Sequence, residues 1–354
     1  MLMFGVYFVL TSLVLLGFWL FSKQICWKEC VTQFVVQTVV ILGMCFLITL
    51  NSLEDREYLT GRMVSKARDQ VHCKHSYQCH CRSSRRGGRS CSTCYEHSYD
   101  VVWFAETNLP KRIYIQPIDR RGIHTPPNWA KLSQGDPMTV PIVYENYIKA
   151  DPDSLFASDA SSIKKDDFSP YPDKLYDDYK LDRFLGDDVK SKVKANQLLS
   201  ELNADIGAKT KANVIVYATS KPKDYAKQLQ RAWEGGKQND VIVVLGVEKS
   251  AIQWVDVIGL SYPDFKVKLR NVIQDHQTVD AALFSKIRDT ILFHYKIREM
   301  SEFKYLQESF KPTLLQWILG AIVSLVVSVG LGFFFHKVEV FPLKKAFSKI
   351  ADFD

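Results

Sequence analysis

Five cysteines and four histidines fall within residues 72–97, the densest grouping of chemically able side chains in this 354-residue sequence. Cys79-x-Cys81, nine further residues, then Cys91-x-x-Cys94 supply two close thiol pairs. A tetrahedral metal needs two such pairs brought face to face, so the spacing suits one structural zinc. The same four thiols suit two disulfides. In a β-hairpin Cys79 would nest against Cys94 and Cys81 against Cys91, nearly in register, with a one-residue bulge. Under either chemistry the cysteines staple a segment with few apolar residues to bury, and a closed four-thiolate site is structural rather than catalytic. Cys73, between His72 and His75, is the thiol left over; a nucleophilic role would need a partly exposed, electropositive setting. From Lys66 to Arg89 seven Lys or Arg face the single acid Asp69. That reads as a solvated basic segment, able to meet anionic headgroups.

Familiar catalytic spacings are missing. Gly235-Gly236-Lys237 lacks the spacing and the following Ser or Thr of a phosphate-binding loop. The chain has no G-x-S-x-G and no H-E-x-x-H. Asp240, at the mouth of an apolar strand, is first of all a strand-end carboxylate. No catalytic residue and no cofactor-binding residue is assigned, and the expectation is a non-enzymatic protein.

Three apolar segments bracket these residues: Met1–Phe21, Val31–Leu50 and Leu314–Phe335. None contains Lys, Arg, Asp or Glu, and each has roughly the 20 residues that cross a hydrocarbon core as a helix. The first lacks a basic leader and a small-x-small cleavage site, and a second span follows closely, so it reads as a span and not a signal peptide. Three spans put the Ser22–Cys30 loop and the 336–354 tail on one side and the large body on the other. Lys23, Lys28, Lys337, Lys344, Lys345 and Lys349 assign the loop and tail to the cytoplasm and the body outside it, although Arg56, Arg62, Lys66 and Arg68 pull the other way. In the third span Gly320, Ser324, Ser328 and Gly332 form a small-residue stripe, suited to packing within the chain or to a homo-oligomer. Gln33 and Gln37 share one face of the second span and need partners inside a bundle.

The body divides by composition. Residues 54–97 are the basic Cys/His segment. Residues 98–150 read as a small antiparallel β module, with runs at Tyr99–Phe104, Arg112–Ile115 and Val140–Tyr144. Residues 151–187 are acidic and rich in Pro and Ser, as in a linker. Residues 188–311 read as α/β. A helix bears Val193, Leu199, Leu202 and Ile206 and stops at Gly207; strand Val214–Tyr217 follows; a helix opens at Pro222 with Tyr225, Leu229 and Trp233 inward. Strands Val241–Leu245 and Ile252–Ile258 come next. The strand–helix–strand unit implies a parallel pair with a right-handed crossover. A long helix from Asp280, bearing Leu283, Ile287 and Ile291, is expected to connect rigidly to the third span.

Two resemblances accompany these motifs. His75–Cys79, Glu96–Asp100 and Tyr144–Phe156 resemble a group of uncharacterised membrane proteins of large tailed phages, over residues 54–185. Residues 190–300 resemble the TPM domain, on the helix, the Val214–Tyr217 strand, Trp233-x-Gly235-Gly236-x-x-x-Asp240 and Val241–Leu245. The resemblances imply a membrane-tethered, extracytoplasmic domain, in a phage context on the periplasmic side of the host inner membrane. They also imply, as an alternative, a phosphohydrolase or metal site at the positions that match here: Asp240, with Asp256 and Asp264. The expected class is an α+β membrane protein with three transmembrane helices, a cysteine-stapled β module and a TPM-like α/β sandwich. Its expected partners are the lipid bilayer and an envelope protein. A cytosolic body with a zinc-bearing basic segment on nucleic acid is the reading for the reverse topology.

Overall fold

The computed structural model describes residues 2–21, 27–83, 89–148, 168–186, 192–249, 251–309 and 312–337. Helices α1 (Leu2–Phe21) and α2 (Trp27–Leu53) lead into strands β1 (Glu54–Val71), β2 (Ser76–Ser83), β3 (Arg89–Tyr95), β4 (Asp100–Thr107) and β5 (Ile113–Ile115). After the short helix α3 (Pro127–Ala130) come β6 (Pro137–Glu145), β7 (Phe184–Gly186), α4 (Lys192–Thr210), β8 (Asn213–Thr219) and α5 (Asp224–Ala232). The chain continues through β9 (Asp240–Glu248), β10 (Ala251–Ile258), α6 (Pro263–Gln274), α7 (Ala281–His294), a 3-10 helix over Met300–Ser309 and α8 (Leu314–Lys337). Two compact units result: Met1–Glu54 with Glu145–Pro152 and Phe303–Asp354, and Asp55–Tyr144 with Asp153–Glu302.

In the first unit α1, α2 and α8 pack against one another around Tyr7 and Ile41, with Trp317, Ala321 and Ile48 beside them. Their other faces leave Val9, Leu13, Phe46, Leu47 and Val326 exposed. Among the described residues two helices, Lys28–Leu53 and Leu314–Phe335, are long and apolar enough to cross a membrane; in α1 the apolar stretch is Gly5–Gly17. An apolar surface of this extent is costly in water and suits a lipid surround.

Among its described residues the second unit holds two four-stranded sheets and a hairpin. The first sheet has the order β5-β4-β1-β6, with β1–β4 and β4–β5 antiparallel. Its core gathers Leu59, Met63, Trp103, Ile113, Met138 and Val140. The three expected β runs are present, but the sheet's long central strand is β1, 18 residues taken from the segment read as polar and solvated. Its first half, from Asp55 to Met63, is mostly buried, and a charged strand start carries no apolar alternation to announce it, whereas Lys66–Val71 at its end is exposed or half-buried.

The second sheet has the order β10-β9-β8-β7, parallel across β7–β8–β9 and antiparallel at β10. Strands β8 and β9 are buried along almost their whole lengths, as their continuous apolar runs predict for strands covered on both faces. Leu199, Ile206, Leu269 and Ile287, from α4, α6 and α7, pack with Val214, Val216 and Val243. Tyr225, Leu229 and Trp233, on and just past α5, pack with Ile215, Tyr217 and Ile242, so helices cover both faces.

Three expectations about this region change. Helix α4 does not stop at Gly207 but runs to Thr210, and Lys211 takes the left-handed cap at φ 60°. Gly207 is a contact glycine: a Cβ there would strike the Thr60 carbonyl oxygen. The 151–187 linker ends in β7, an edge strand of the parallel sheet. The long helix from Asp280 ends at His294, where Tyr295 turns extended at φ −75° and ψ 135°, and a separate 3-10 helix follows. Residues 151–167, the core of the expected linker, and most of the 336–354 tail lie outside the described residues.

Candidate functional site

The hairpin β2–β3 holds the four-cysteine motif. Tyr77 pairs with Cys94 and Cys79 with Ser92, then the register shifts by one residue before Arg82 pairs with Ser90. His80, at φ 48°, sits in this bulge. Cys79 and Cys94 lie at disulfide distance, as do Cys81 and Cys91. The His80 ring nitrogen is 3.3 Å from Cys79 Sγ and 3.7 Å from Cys94 Sγ, so these three atoms could also gather a metal if the thiols were reduced.

A second cluster of polar groups is buried, and the sequence did not disclose it. Arg183, just before β7, is 1% exposed, the largest side chain enclosed to that degree among the described residues. Its Nε donates to Asn213 Oδ1 at 2.6 Å and its Nη2 donates to Thr60 Oγ1 at 2.7 Å; Thr139 Oγ1 is within reach of both terminal nitrogens. Asn213 passes the interaction on, donating Nδ2–H to Asp240 Oδ1 at 2.8 Å. Asp240 accepts two more hydrogen bonds at Oδ2, from Tyr171 OH and the Lys237 backbone N–H, both 2.7 Å. A cation and an anion are thus buried together with an amide between them, which limits the cost of burying each alone. Burial lowers the Arg183 pKa to about 10, leaving it charged at neutral pH. Burial pushes the Asp240 carboxyl up, against the pull of its three donors.

The same centre extends along β1. Lys237 Nζ donates to both Asp55 oxygens at 2.7 and 2.9 Å, and Tyr144 OH donates to Asp55 Oδ2 at 3.2 Å. Burial first, and Asp55 second, drive the Tyr144 hydroxyl well above its ordinary pKa. Asn239 Nδ2 donates to the Tyr58 carbonyl at 2.8 Å. Glu57 Oε2 is buried without a hydrogen-bond partner. Burial, then the Asp240 carboxylate, push Glu57 up to about 7.

The acidic trio assigned from the TPM resemblance is not drawn into one site. Asp240 is fully enclosed at the amino end of β9, paired in register with Asn213 at the amino end of β8. Open α/β sheets bind ligands at the opposite, carboxyl ends of their strands. Asp256 is half-buried on β10 and accepts from the Val257 N–H; Asp264 is exposed in the first turn of α6, where the helix dipole favours an acid. Among the described residues, the groups of three or more ligand atoms within 4.8 Å contain only Cys and His. An open groove of about 660 Å³ lies elsewhere, lined by Asp136, Tyr176, Tyr179, Lys180, Lys192 and Glu201 among others. Its mixed charges offer polar contacts of both signs.

The small-residue stripe of α8 is occupied within the chain. Gly320 lies against the Tyr7 ring, whose hydroxyl donates to the Trp317 carbonyl at 3.0 Å. Gln37 Nε2 donates to Ser328 Oγ, and Gln33 Nε2 donates to the Ser328 carbonyl at 3.3 Å. Ser324, Ser328 and Gly332 are buried. Both glutamines therefore find the bundle partners that lipid would deny them.

Comparison with protein-family models, with curated proteins and with solved structures finds no match.

Proposed function

We propose that this chain is an integral membrane protein whose folded unit lies outside the cytoplasm and serves as a binding or assembly module, without catalysis. Three helices, α1, α2 and α8, span the bilayer in this reading. The observation that carries it is the hairpin, in which Cys79–Cys94 and Cys81–Cys91 lie at disulfide distance in nested order. Disulfides persist in oxidising compartments and are rare in the cytosol. The apolar faces of the three helices support the anchoring, and the lysines of the short loop and tail support the orientation.

The parallel β8–α5–β9 unit is of the kind a TPM-like sandwich contains, and the phage-related setting on the periplasmic side of a host inner membrane rests on the sequence resemblance of residues 54–185 alone. The module's partners in this reading are the bilayer and an envelope protein rather than nucleic acid. Enclosure of Asp240 by Tyr171, Asn213 and Lys237 supports the non-catalytic reading over a phosphohydrolase, since a substrate phosphate would have to displace three hydrogen bonds to reach it. The groove lined by Tyr176, Tyr179 and Lys192 offers such a module a concave contact surface.

Membrane topology tests the proposal. Paired reporters, one active only in the cytoplasm and one only outside it, are inserted near Ser162 and after Asp354. The expected result is Ser162 outside and Asp354 inside. The reverse would overturn the extracytoplasmic assignment, turn the hairpin cysteines toward zinc and restore nucleic acid as a partner.

A further inference from the structure

We propose that Cys73, His75 and His97 form a divalent transition-metal site, with zinc as the expected ion, at the base of the hairpin and separate from its four paired cysteines. One ligand atom from each of the three residues lies within 4.8 Å of the others. The fold brings them together from two connectors. Cys73 and His75 occupy the turn from β1 to β2, and His97 the turn from β3 to β4. The β1–β4 ladder ends at the Val71–Asp100 pair and the β2–β3 ladder starts at Ser76–Tyr95, so the connectors run side by side between them. A backbone hydrogen bond from Glu96 N–H to the His75 carbonyl, 3.1 Å, ties them together.

The surroundings are those of a metal site rather than of a stray thiol. The His97 Nε2 is 2.6 Å from Asp100 Oδ1. A carboxylate on one ring nitrogen fixes the tautomer and leaves the other nitrogen's lone pair for an ion. Cys73 Sγ accepts the His75 backbone N–H at 3.3 Å and, as a thiol, donates to the His75 carbonyl at 3.5 Å, so the His75 backbone holds the sulfur in place beside the two imidazoles. Glu96 Oε2 stands 3.8 Å from His75 Nδ1, a second carboxylate at the rim. The two imidazoles meet edge to face at 75°, not stacked, so both can turn toward one point.

Chemistry then selects the ion. One thiolate and two imidazoles suit zinc and its borderline neighbours, not calcium or magnesium, which take oxygen. Binding replaces the Cys73 S–H bond by a sulfur–metal bond and releases one proton to solvent; the imidazoles bind as neutral donors. Cys73 is buried while His75 is largely exposed, so the fourth tetrahedral position opens to water. The ion would clamp the hairpin to the first sheet and keep a thiol adjoining the paired cysteines from exchanging with them. The site does not depend on which side of the membrane the folded unit lies.

The experiment uses the full chain in detergent, loaded with zinc or with cobalt(II) as a spectroscopic probe. One equivalent of zinc per chain is expected, and cobalt should give a thiolate charge-transfer band with visible bands of tetrahedral intensity. Cys73→Ser should abolish the charge-transfer band, His97→Ala and His75→Ala should lose the bound equivalent, and Asp100→Asn should weaken binding about 10- to 100-fold. In the unmutated chain, zinc should block alkylation of Cys73, mapped by mass, which keeps the test free of folding defects. No zinc uptake, or Cys73 alkylated equally with and without zinc, overturns the proposal. Retention of the metal by Cys73→Ser with loss on Cys79→Ser/Cys94→Ser also overturns it, because the ion would then belong to the hairpin thiols.

Discussion

Glu57 shows how a single side chain can set the pH response of this fold. Its carboxyl sits at about 7 in the folded chain against an ordinary value of 4.5. The folded state therefore holds the proton more tightly than the unfolded state between those values. Stability is greatest below about pH 4.5 as far as this group is concerned, falls as pH rises, and has lost its Glu57 part above about 7. The full swing is on the order of 3 kcal/mol. Glu57→Gln, which imitates the protonated form, should raise the neutral-pH melting temperature and flatten its dependence between pH 4.5 and about 7; an unchanged slope would remove Glu57 as its source. Arg183 makes the complementary case. Arg183→Met should destabilise by about 3–5 kcal/mol, because Asn213 and Asp240 lose a buried cationic partner. Adding Asp240→Asn should cost much less than the sum of the two single changes, since the orphaned charge goes with it. Denaturant titration of the three variants reads both values, and strict additivity would deny the coupling. Neither residue was legible in the sequence. Arg183 lies in a stretch read as an acidic linker, and nothing local marks an arginine whose partners are 30 to 123 residues away.

At the scale of elements, periodicity carried most of the α/β half. The apolar runs of β8 and β9, and the inward Tyr225, Leu229 and Trp233, lie where the structure uses them. Helix α6 was missed although Phe265, Leu269 and Ile273 recur at helical spacing and Pro263 stands at its start. Gly207 was misread as a stop because glycine is commonly a helix terminator. Only the packed fold reveals the Thr60 carbonyl that excludes a side chain there. Two effects oppose each other in Gly207→Ala: alanine favours the helix by about 1 kcal/mol, while the clash is with backbone that cannot rotate away and costs about 1–3 kcal/mol. Net destabilisation is expected in a thermal melt, and a stabilised variant would show that α4 can move off β1. The hairpin register was readable because cysteine spacing alone demands a one-residue bulge, and the bulge is found between Cys79 and Arg82.

For the whole molecule, the paired cysteines predict a chemical pattern that purified protein can report. Without reductant, Cys79, Cys81, Cys91 and Cys94 should resist alkylation, and after reduction all four should react. Freely reacting hairpin thiols in unreduced protein would count against the oxidising compartment. Loss of the outer Cys79–Cys94 link, which closes 15 residues, should cost about 3 kcal/mol if that pair is formed. Anchoring belongs to the same scale. The apolar lengths of α2 and α8 are properties of local sequence, whereas the placing of Gly320 against Tyr7 and of Gln37 against Ser328 requires the three helices to be assembled.

Composition and spacing by themselves determined the apolar helices, the β runs, the strand–helix–strand order and the nested spacing of the hairpin cysteines, with zinc or disulfides left open, because each is a regularity between neighbours in the chain. The tertiary structure alone decided the centre of the folded unit. Asp55, Glu57, Arg183 and Asp240 are charged residues that a local reading sends to the surface. Asp55, Arg183 and Asp240 can be buried because hydrogen-bond partners arrive from β1, β6, β8 and the turn before β9, whereas Glu57 Oε2 has no such partner and its carboxyl is pushed up instead. Desolvation of a charge is a cost that one stretch of chain cannot offset, so its placement is settled only when distant segments meet.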